Sequence, residues 1–154
     1  MSAVLRPAPS LEPMSEADLR AVIEIEEGLY EFPWTLGNFR DSLRAGYGCW
    51  TYRDGGGQLV GYAVLMLAAG EAHLLNLSVA ARAQRRGHGR SLLAHVVAIA
   101  REHEAKVLFL EVRPTNEVGR RLYTGYGFNQ VGVRRGYYPA RRGREDALVL
   151  ALDL

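Results

Sequence analysis

The chain has one cysteine, Cys49, in 154 residues. A lone cysteine forms no internal disulfide, and no Cys/His grouping has zinc-site spacing, so neither a disulfide scaffold nor a metal site is expected. Cys49 lies in a strand-like stretch and reads as a small buried hydrophobe rather than a nucleophile. Long apolar runs are also lacking. The longest, Leu59 to Ala69 with Gly61 inside it, stops at Gly70-Glu71 and is too short to cross a bilayer as a helix. No charged-then-apolar leader opens the chain, and Pro7, Pro9 and Pro13 interrupt its first stretch, so no signal peptide is expected. A cytoplasmic protein without a membrane partner is the plain expectation. Repeats, low-complexity segments and linkers are absent, so residues 1–154 read as a single domain. Hydrophobic residues make up 48%, which argues against disorder. Net charge is only +2 and no nucleic-acid motif appears, so no direct nucleic-acid partner is expected.

The small net charge hides an uneven spread. Residues 1–77 carry five arginines against ten carboxylates, and residues 78–154 carry fourteen lysines or arginines against seven carboxylates. A basic second half suits either an anionic ligand or a solvated surface. Ser15 with Asp18 resembles a helix N-cap pair, and Leu19, Val22, Ile23 and Leu29 follow at helical spacing, predicting a helix over 16–30. Pro33 ends it, and Thr35 can cap a second helix to about Leu43. Strands are predicted over 47–53 and 58–67, joined by Asp54-Gly55-Gly56-Gly57, and over 72–79. Leu92, Leu93, Val96, Val97 and Ala100 mark the inner face of a helix over 88–104. Lys106 to Val112 reads as a strand buried on both faces. A short helix over 116–125 and strands over 128–135 and 146–152 complete an α+β arrangement of helices on a mixed, mostly antiparallel sheet.

The most informative stretch is Gln84-Arg85-Arg86-Gly87-His88-Gly89-Arg90, after a strand and at the head of the long helix. Helix N-termini expose unpaired N–H groups and partial positive charge, glycines let an anion approach the backbone, and three arginines add formal charge. A diphosphate fits. The spacing matches neither the Rossmann fingerprint nor the P-loop, and a plain strand-to-helix turn explains the same residues. His88 and His95 lack metal-site partners and read as surface or packing residues.

Strand, Gln84-x-x-Gly87-x-Gly89, then amphipathic helix resembles the coenzyme A loop of the GNAT superfamily of N-acetyltransferases, and the order of elements along nearly the whole chain is similar to that family. Phe32-Pro33-Trp34, Asn76-Leu77-Ser78-Val79, Leu110-Glu111-Val112-Arg113, Asn116, Leu122-Tyr123, Gly127-Phe128-Asn129, Tyr137-Tyr138-Pro139 and Gly143-Arg144-Glu145-Asp146-Ala147 resemble its RimI subgroup. Enzymes of that subgroup acetylate the N-terminal alanine of a small-subunit ribosomal protein. The resemblance implies a GNAT fold, acetyl-CoA as co-substrate, no metal, and an N-terminal peptide of a protein, ribosomal by analogy, as acceptor. It places Arg85, Arg86, Gly87, His88, Gly89 and Arg90 at the cofactor's phosphates. It places the backbone of Leu77, Ser78 and Val79 along pantetheine.

Acetyl transfer to an amine needs a neutral amine, a polarised carbonyl, a held oxyanion and a proton for the leaving thiolate. A protein α-amino group, with a reference pKa near ~8, asks less of a base than a lysine near ~10.4. Glu111 interrupts an apolar strand on the face of Phe109 and Val107. On position alone it is either functional or merely paired with Arg113 or another arginine, or at a solvated strand end. The resemblance implies that Glu111 is the general base. Tyr123 lies two helical turns after Asn116, so both face one way, and a core aromatic is the alternative. The resemblance implies that Tyr123 is the proton donor and that Asn116 contacts the cofactor.

The acceptor site is less legible. Glu24, Glu26, Glu27 and Glu31 read as a solvated helix face or as a rim for a basic peptide. Phe32, Trp34, Tyr137 and Tyr138 belong, by resemblance, to loops flanking the peptide slot. Arg134, Arg135, Arg141, Arg142 and Arg144 face either a ribosomal substrate or the cofactor's 3′-phosphate. Two alternatives stay open: a small-molecule amine acetyltransferase, and a non-catalytic acyl-CoA-binding module.

Overall fold

A computed structural model describes residues 7–154. Its elements in chain order are β1 (Ser10–Pro13), α1 (Leu19–Leu29), α2 (Leu36–Arg44), β2 (Gly48–Arg53), β3 (Leu59–Ala68), β4 (Glu71–Val79), α3 (His88–Glu102), β5 (Val107–Val112), α4 (Glu117–Tyr126), β6 (Asn129–Pro139) and β7 (Arg144–Asp153). Short 3₁₀ segments precede α1 at Glu16–Asp18 and α3 at Ala81–Ala83. The strands form one mixed sheet in the order β1-β2-β3-β4-β5-β7-β6.

The local signals act as their chemistry dictates. The Ser15 N–H and Oγ donate to Asp18 Oδ2 at 2.8 and 3.2 Å, holding the entry to α1. Thr35 Oγ1 accepts from the Asn38 N–H at 3.1 Å while Asn38 Oδ1 accepts from the Thr35 N–H at 2.9 Å, a reciprocal cap on α2. Asp54 Oδ1 accepts from the N–H groups of Gly56 and Gln58, both at 3.0 Å, closing the β2–β3 hairpin.

Two corrections concern strands. β1 was not expected, because its proline reads as a breaker. It pairs antiparallel with β2 from Ser10↔Arg53 to Pro13↔Trp50 as the outermost strand, where a missing donor is tolerated. β5 is buried on one face only: Leu108, Leu110 and Val112 are buried, whereas Val107, Phe109 and Glu111 are partly open. On that second face Phe109 and Glu111 line a cleft.

The described residues divide into two compact units, 7–64 with Leu77–Leu92, and Leu65–Asn76 with Leu93–Leu154. In the first unit, Leu19, Val22, Phe39, Tyr52, Tyr62 and Val64 are buried. Cys49 is buried there too, and desolvation pushes its thiol up to about 11, so it stays a protonated packing group. Gly61 interrupts the apolar run of β3 for a steric reason. A Cβ there would stand 2.7 Å from the Ser78 carbonyl oxygen and 3.5 Å from Leu92 Cδ2.

In the second unit, Leu93, Val96, Val97 and Ala100 of α3 are fully shielded, as their spacing predicts. β4 and β5 pair in parallel from Glu71↔Val107 to Leu74↔Leu110. β5 and β7 pair antiparallel from Val107↔Asp153 to Val112↔Leu148. β6 pairs with β7 through two register shifts, between Gln130 and Gly132 and between Arg134 and Tyr138. Among the described residues, no helix is long and apolar enough to cross a membrane and no cluster of three metal-ligating side chains occurs.

Candidate active site

The first unit holds the glycine loop. Gln84 Nε2 donates to the Val79 carbonyl at 3.0 Å, and Arg82 donates to the Leu59 carbonyl at 2.6 Å, pinning the loop's start to the strands before it. Arg85 and Gly87 both take left-handed backbone, φ +64° and +81°. Such residues build the concave amide turns that bind anions. No atom lies within 4 Å of where a Gly87 Cβ would sit, so the space over that backbone is open. Gly87's carbonyl accepts the Ser91 N–H at 3.1 Å, and α3 begins there. The first turn of a helix has N–H groups without intrahelical acceptors and a partial positive charge. Arg85, Arg86 and Arg90 are exposed around it. These groups fit a diphosphate of the kind coenzyme A carries. His88 packs edge-on against Tyr52, ring centroids 5.7 Å apart, and Tyr52 donates to Ser91 Oγ at 2.9 Å, so His88 helps seat the helix.

The same unit contains a polar network in its core. Glu26 is 2% exposed, and its carboxylate accepts from the Tyr62 hydroxyl at 2.7 Å and the Trp34 N–H at 2.9 Å. The Tyr30 hydroxyl bonds Ser78 Oγ at 2.6 Å, so Ser78, 2% exposed, is tied by its side chain to the end of α1. Burial pushes the Tyr30 phenol up to about 12, against the lowering effect of Ser78, and Glu26's charge adds to the rise. Burial, then Glu26, raises Tyr62 further still. Of the four glutamates read as a solvated face, Glu24, Glu27 and Glu31 are exposed, but Glu26 is not. Glu26 falls on the stripe Leu19, Val22, Glu26, where three-and-four spacing turns a side chain inward.

In the second unit Glu111 projects into a cleft of about 300 Å³ lined by Met66, His73, Phe109, Arg134 and Val149 among others. Its side chain is 8% exposed. Oε2 bonds His73 Nε2, and Oε1 pairs with Arg134 Nε at 3.2 Å. The parallel ladder sets His73 opposite Phe109, so Glu111 lies one same-face step along β5. Arg113 pairs with Glu145 at 3.1 Å and lies over the Tyr138 ring at 4.3 Å. Hydrogen bonding from Thr115 first, then Arg113, holds the Glu145 carboxyl below its ordinary range, against the opposing effect of burial. Burial first, then Glu111's negative charge, keeps the Tyr138 phenol neutral far above its usual range.

Tyr123 lies in α4, 8% exposed, with its ring 5.6 Å from that of Phe128. Asn116 is the N-cap of α4, its Oδ1 accepting the Gly119 N–H at 3.0 Å, so at least one face of this amide serves the helix itself. Tyr137 and Tyr138 correct the loop expectation: they belong to β6, which continues past a kink at Gly136, φ +58°. Arg144 donates to the carbonyls of Gly136 and Tyr137 at 2.5 and 3.0 Å and so braces that kink.

His73 escapes sequence reading altogether. Alternation places it opposite to buried Leu74, but only the β4–β5 register joins it to Glu111. Arg134 is equally invisible as a partner, because it reaches Glu111 from β6.

The sequence model of the acetyltransferase (GNAT) family matches residues 18–128. The [ribosomal protein bS18]-alanine N-acetyltransferase of Escherichia coli strain K12 is 33% identical over 94% of this chain and 97% of its own length. A putative enzyme of the same description from Bacillus subtilis is 29% identical over 86% of this chain and 87% of its own length. Among solved structures, the ribosomal-protein-S18-alanine N-acetyltransferase from Escherichia coli superposes with a TM-score of 0.85 at 33% identity, over 94% of this chain and 93% of that one. The chain therefore belongs to the GNAT family of acetyltransferases.

Proposed function

We propose that this acetyltransferase moves the acetyl group of acetyl-CoA onto the N-terminal amine of a protein, the acceptor being the N-terminal alanine of a small-subunit ribosomal protein in the cytoplasm. Similarity to the bS18-alanine enzymes over nearly the full chain supports the acceptor class. The observation that carries the reading is Glu111, a carboxylate 8% exposed at the wall of a cleft. Isolated burial of a charge is costly, and here two cationic or protonatable groups offset that cost while leaving the carboxylate at the cleft surface.

Acetyl-CoA supplies an activated acyl carbonyl. The Arg85–Arg90 turn holds the diphosphate, with Arg85, Arg86 and Arg90 adding charge and His88 keeping the helix seated. The backbone of Leu77, Ser78 and Val79 lies along the pantetheine arm and offers an N–H to the carbonyl. Asn116 holds a pantetheine amide through its nitrogen while its oxygen caps α4. Glu111 takes a proton from the incoming ammonium group, freeing the lone pair that forms the new C–N bond. As the C–S bond breaks, Tyr123 gives its proton to the departing sulfur, and the second proton shed by the new amide nitrogen restores the Tyr123 phenol, so one net proton, the one on Glu111, remains to be released. One positioned acid or base of this kind contributes at least ~10²-fold.

The test is mass spectrometry of an alanine-starting peptide after incubation with protein and acetyl-CoA, beside polyamine and amino-sugar acceptors. Acetylation of the peptide's α-amine is expected. Acetylation of only the small amines, or acetyl-CoA binding without any turnover, overturns the proposal.

A further inference from the structure

We propose that His73 is a positioning and relay residue for this reaction, carrying the proton that Glu111 removes from the acceptor out to solvent. The inference rests on the reading of Glu111 as the base. Transfer from a thioester to an ammonium group gives an amide, a thiol and one proton, so each turnover must export a proton from the site. The Glu111 side chain is 8% exposed against 23% for His73, so the imidazole offers the wider path to water. The two partners of Glu111 differ in kind. Arg134 is a guanidinium, which offers N–H donors only and has no lone pair to accept a proton. His73 is an imidazole, whose two ring nitrogens can accept a proton at one and release it from the other. Its Nε2 meets Glu111 Oε2, and its side chain is 23% exposed, open to the cleft.

The proton balance closes in three steps. Glu111 accepts the ammonium proton and becomes a carboxylic acid. That O–H donates to a neutral His73, giving an imidazolium beside a restored carboxylate. The imidazolium releases the proton to water, and Glu111 is ready for the next acceptor. The charged and titratable groups around His73 are Glu71 on its own strand, Glu111 on β5 and Arg134 on β6, with Tyr138 neutral close to Glu111. Arg134 fixes one carboxylate oxygen and leaves the other to His73, so the proton's route is defined by geometry.

Two substitutions in the full chain separate relay from scaffolding. His73→Gln keeps a hydrogen bond to Glu111 but cannot carry a proton. His73→Ala opens space for free imidazole. Both are expected to lower kcat roughly 10-fold, less than removal of the base itself, with KM values for peptide and acetyl-CoA near wild type. Added imidazole should restore the His73→Ala rate, and the low-pH limb of the wild-type kcat profile should be displaced in His73→Gln. A purely orienting histidine predicts full activity in His73→Gln and indifference to imidazole, and either result overturns the relay. If His73→Ala fails to fold by circular dichroism, the rate and pH profile of His73→Gln decide alone. The parent reading fails differently, through a wild-type protein that acetylates no α-amine or a Glu111→Gln variant as active as wild type.

Discussion

Replacing Glu26 by alanine tests the buried network most directly. The substitution leaves the Tyr62 hydroxyl and the Trp34 N–H, 2.7 and 2.9 Å from the carboxylate, without their acceptor. Each hydrogen bond to a charged group is worth about 1.5–3 kcal/mol, and stranding a buried donor costs about as much. Part of this is recovered because Ala removes a desolvated charge. A net loss of roughly 2–4 kcal/mol follows, large against the ~5–15 kcal/mol of a whole domain. At ~2–4 °C per kcal/mol for a chain of this size, Tm should fall by about 4–16 °C. Glu26→Gln keeps the shape and one acceptor oxygen, so about 1 kcal/mol is expected there. Urea unfolding of Glu26→Gln, Tyr62→Phe and the double variant forms a cycle whose coupling energy should be at least ~0.5 kcal/mol. Fluorescence of Trp34 should also shift in Glu26→Ala, because the bond that fixes its backbone is gone. Unchanged Tm in Glu26→Ala, or strict additivity in the cycle, would refute the network's role.

Three further outcomes are expected. Glu111→Gln and Tyr123→Phe should each lower kcat by roughly 10²-fold or more with folding intact, measured by thiol release; wild-type turnover removes that residue from the mechanism. Gly89→Val, in the first turn of α3, should weaken acetyl-CoA binding by crowding the diphosphate, and calorimetry with unchanged affinity would contradict the loop assignment. Tyr30, raised to about 12, and Tyr62 and Tyr138, raised further, hold their protons longer when folded than the unfolded value of ~10. Their contribution is complete below pH ~10 and is lost as pH climbs through the folded values, so alkaline unfolding should begin near pH ~10. Tyr30 is 36% exposed, so solvent screens its share. Tyrosinate absorbance amounting to all eight tyrosines at the ordinary pH, while circular dichroism stays native, would count against this.

The elements that sequence reading located are those whose signals are local. The Ser15–Asp18 pair, the Thr35 cap, the Asp54 turn and the apolar stripe of α3 each lie within a few residues of the structure they specify. The readings that needed revision depend on distant partners. β1 is a strand because β2 offers an edge to it, a fact absent from Ser10–Pro13 itself. The rise of Tyr137 and Tyr138 into β6 depends on Arg144 and on Asp146, whose Oδ1 accepts the Gly136 N–H at 2.8 Å. Glu111 stood out as a charge in an apolar strand, but the identity of its neighbours required the β4–β5 register and the return of β6. Glu26 was legible in principle from its stripe and was obscured by three exposed glutamates beside it.

The two outer strands of the sheet meet solvent by different means. β1 presents a short segment that closes on Pro13, whose ring nitrogen has no hydrogen to offer an incoming chain. β6 is long and shows Val131, Val133 and Tyr137 to water, yet Arg134, Arg135 and two irregularities break its flatness. Trimming the amino terminus through Pro13 would therefore uncover the backbone of β2 and invite self-association, so a purification handle removed at that end should be cut ahead of Ser10.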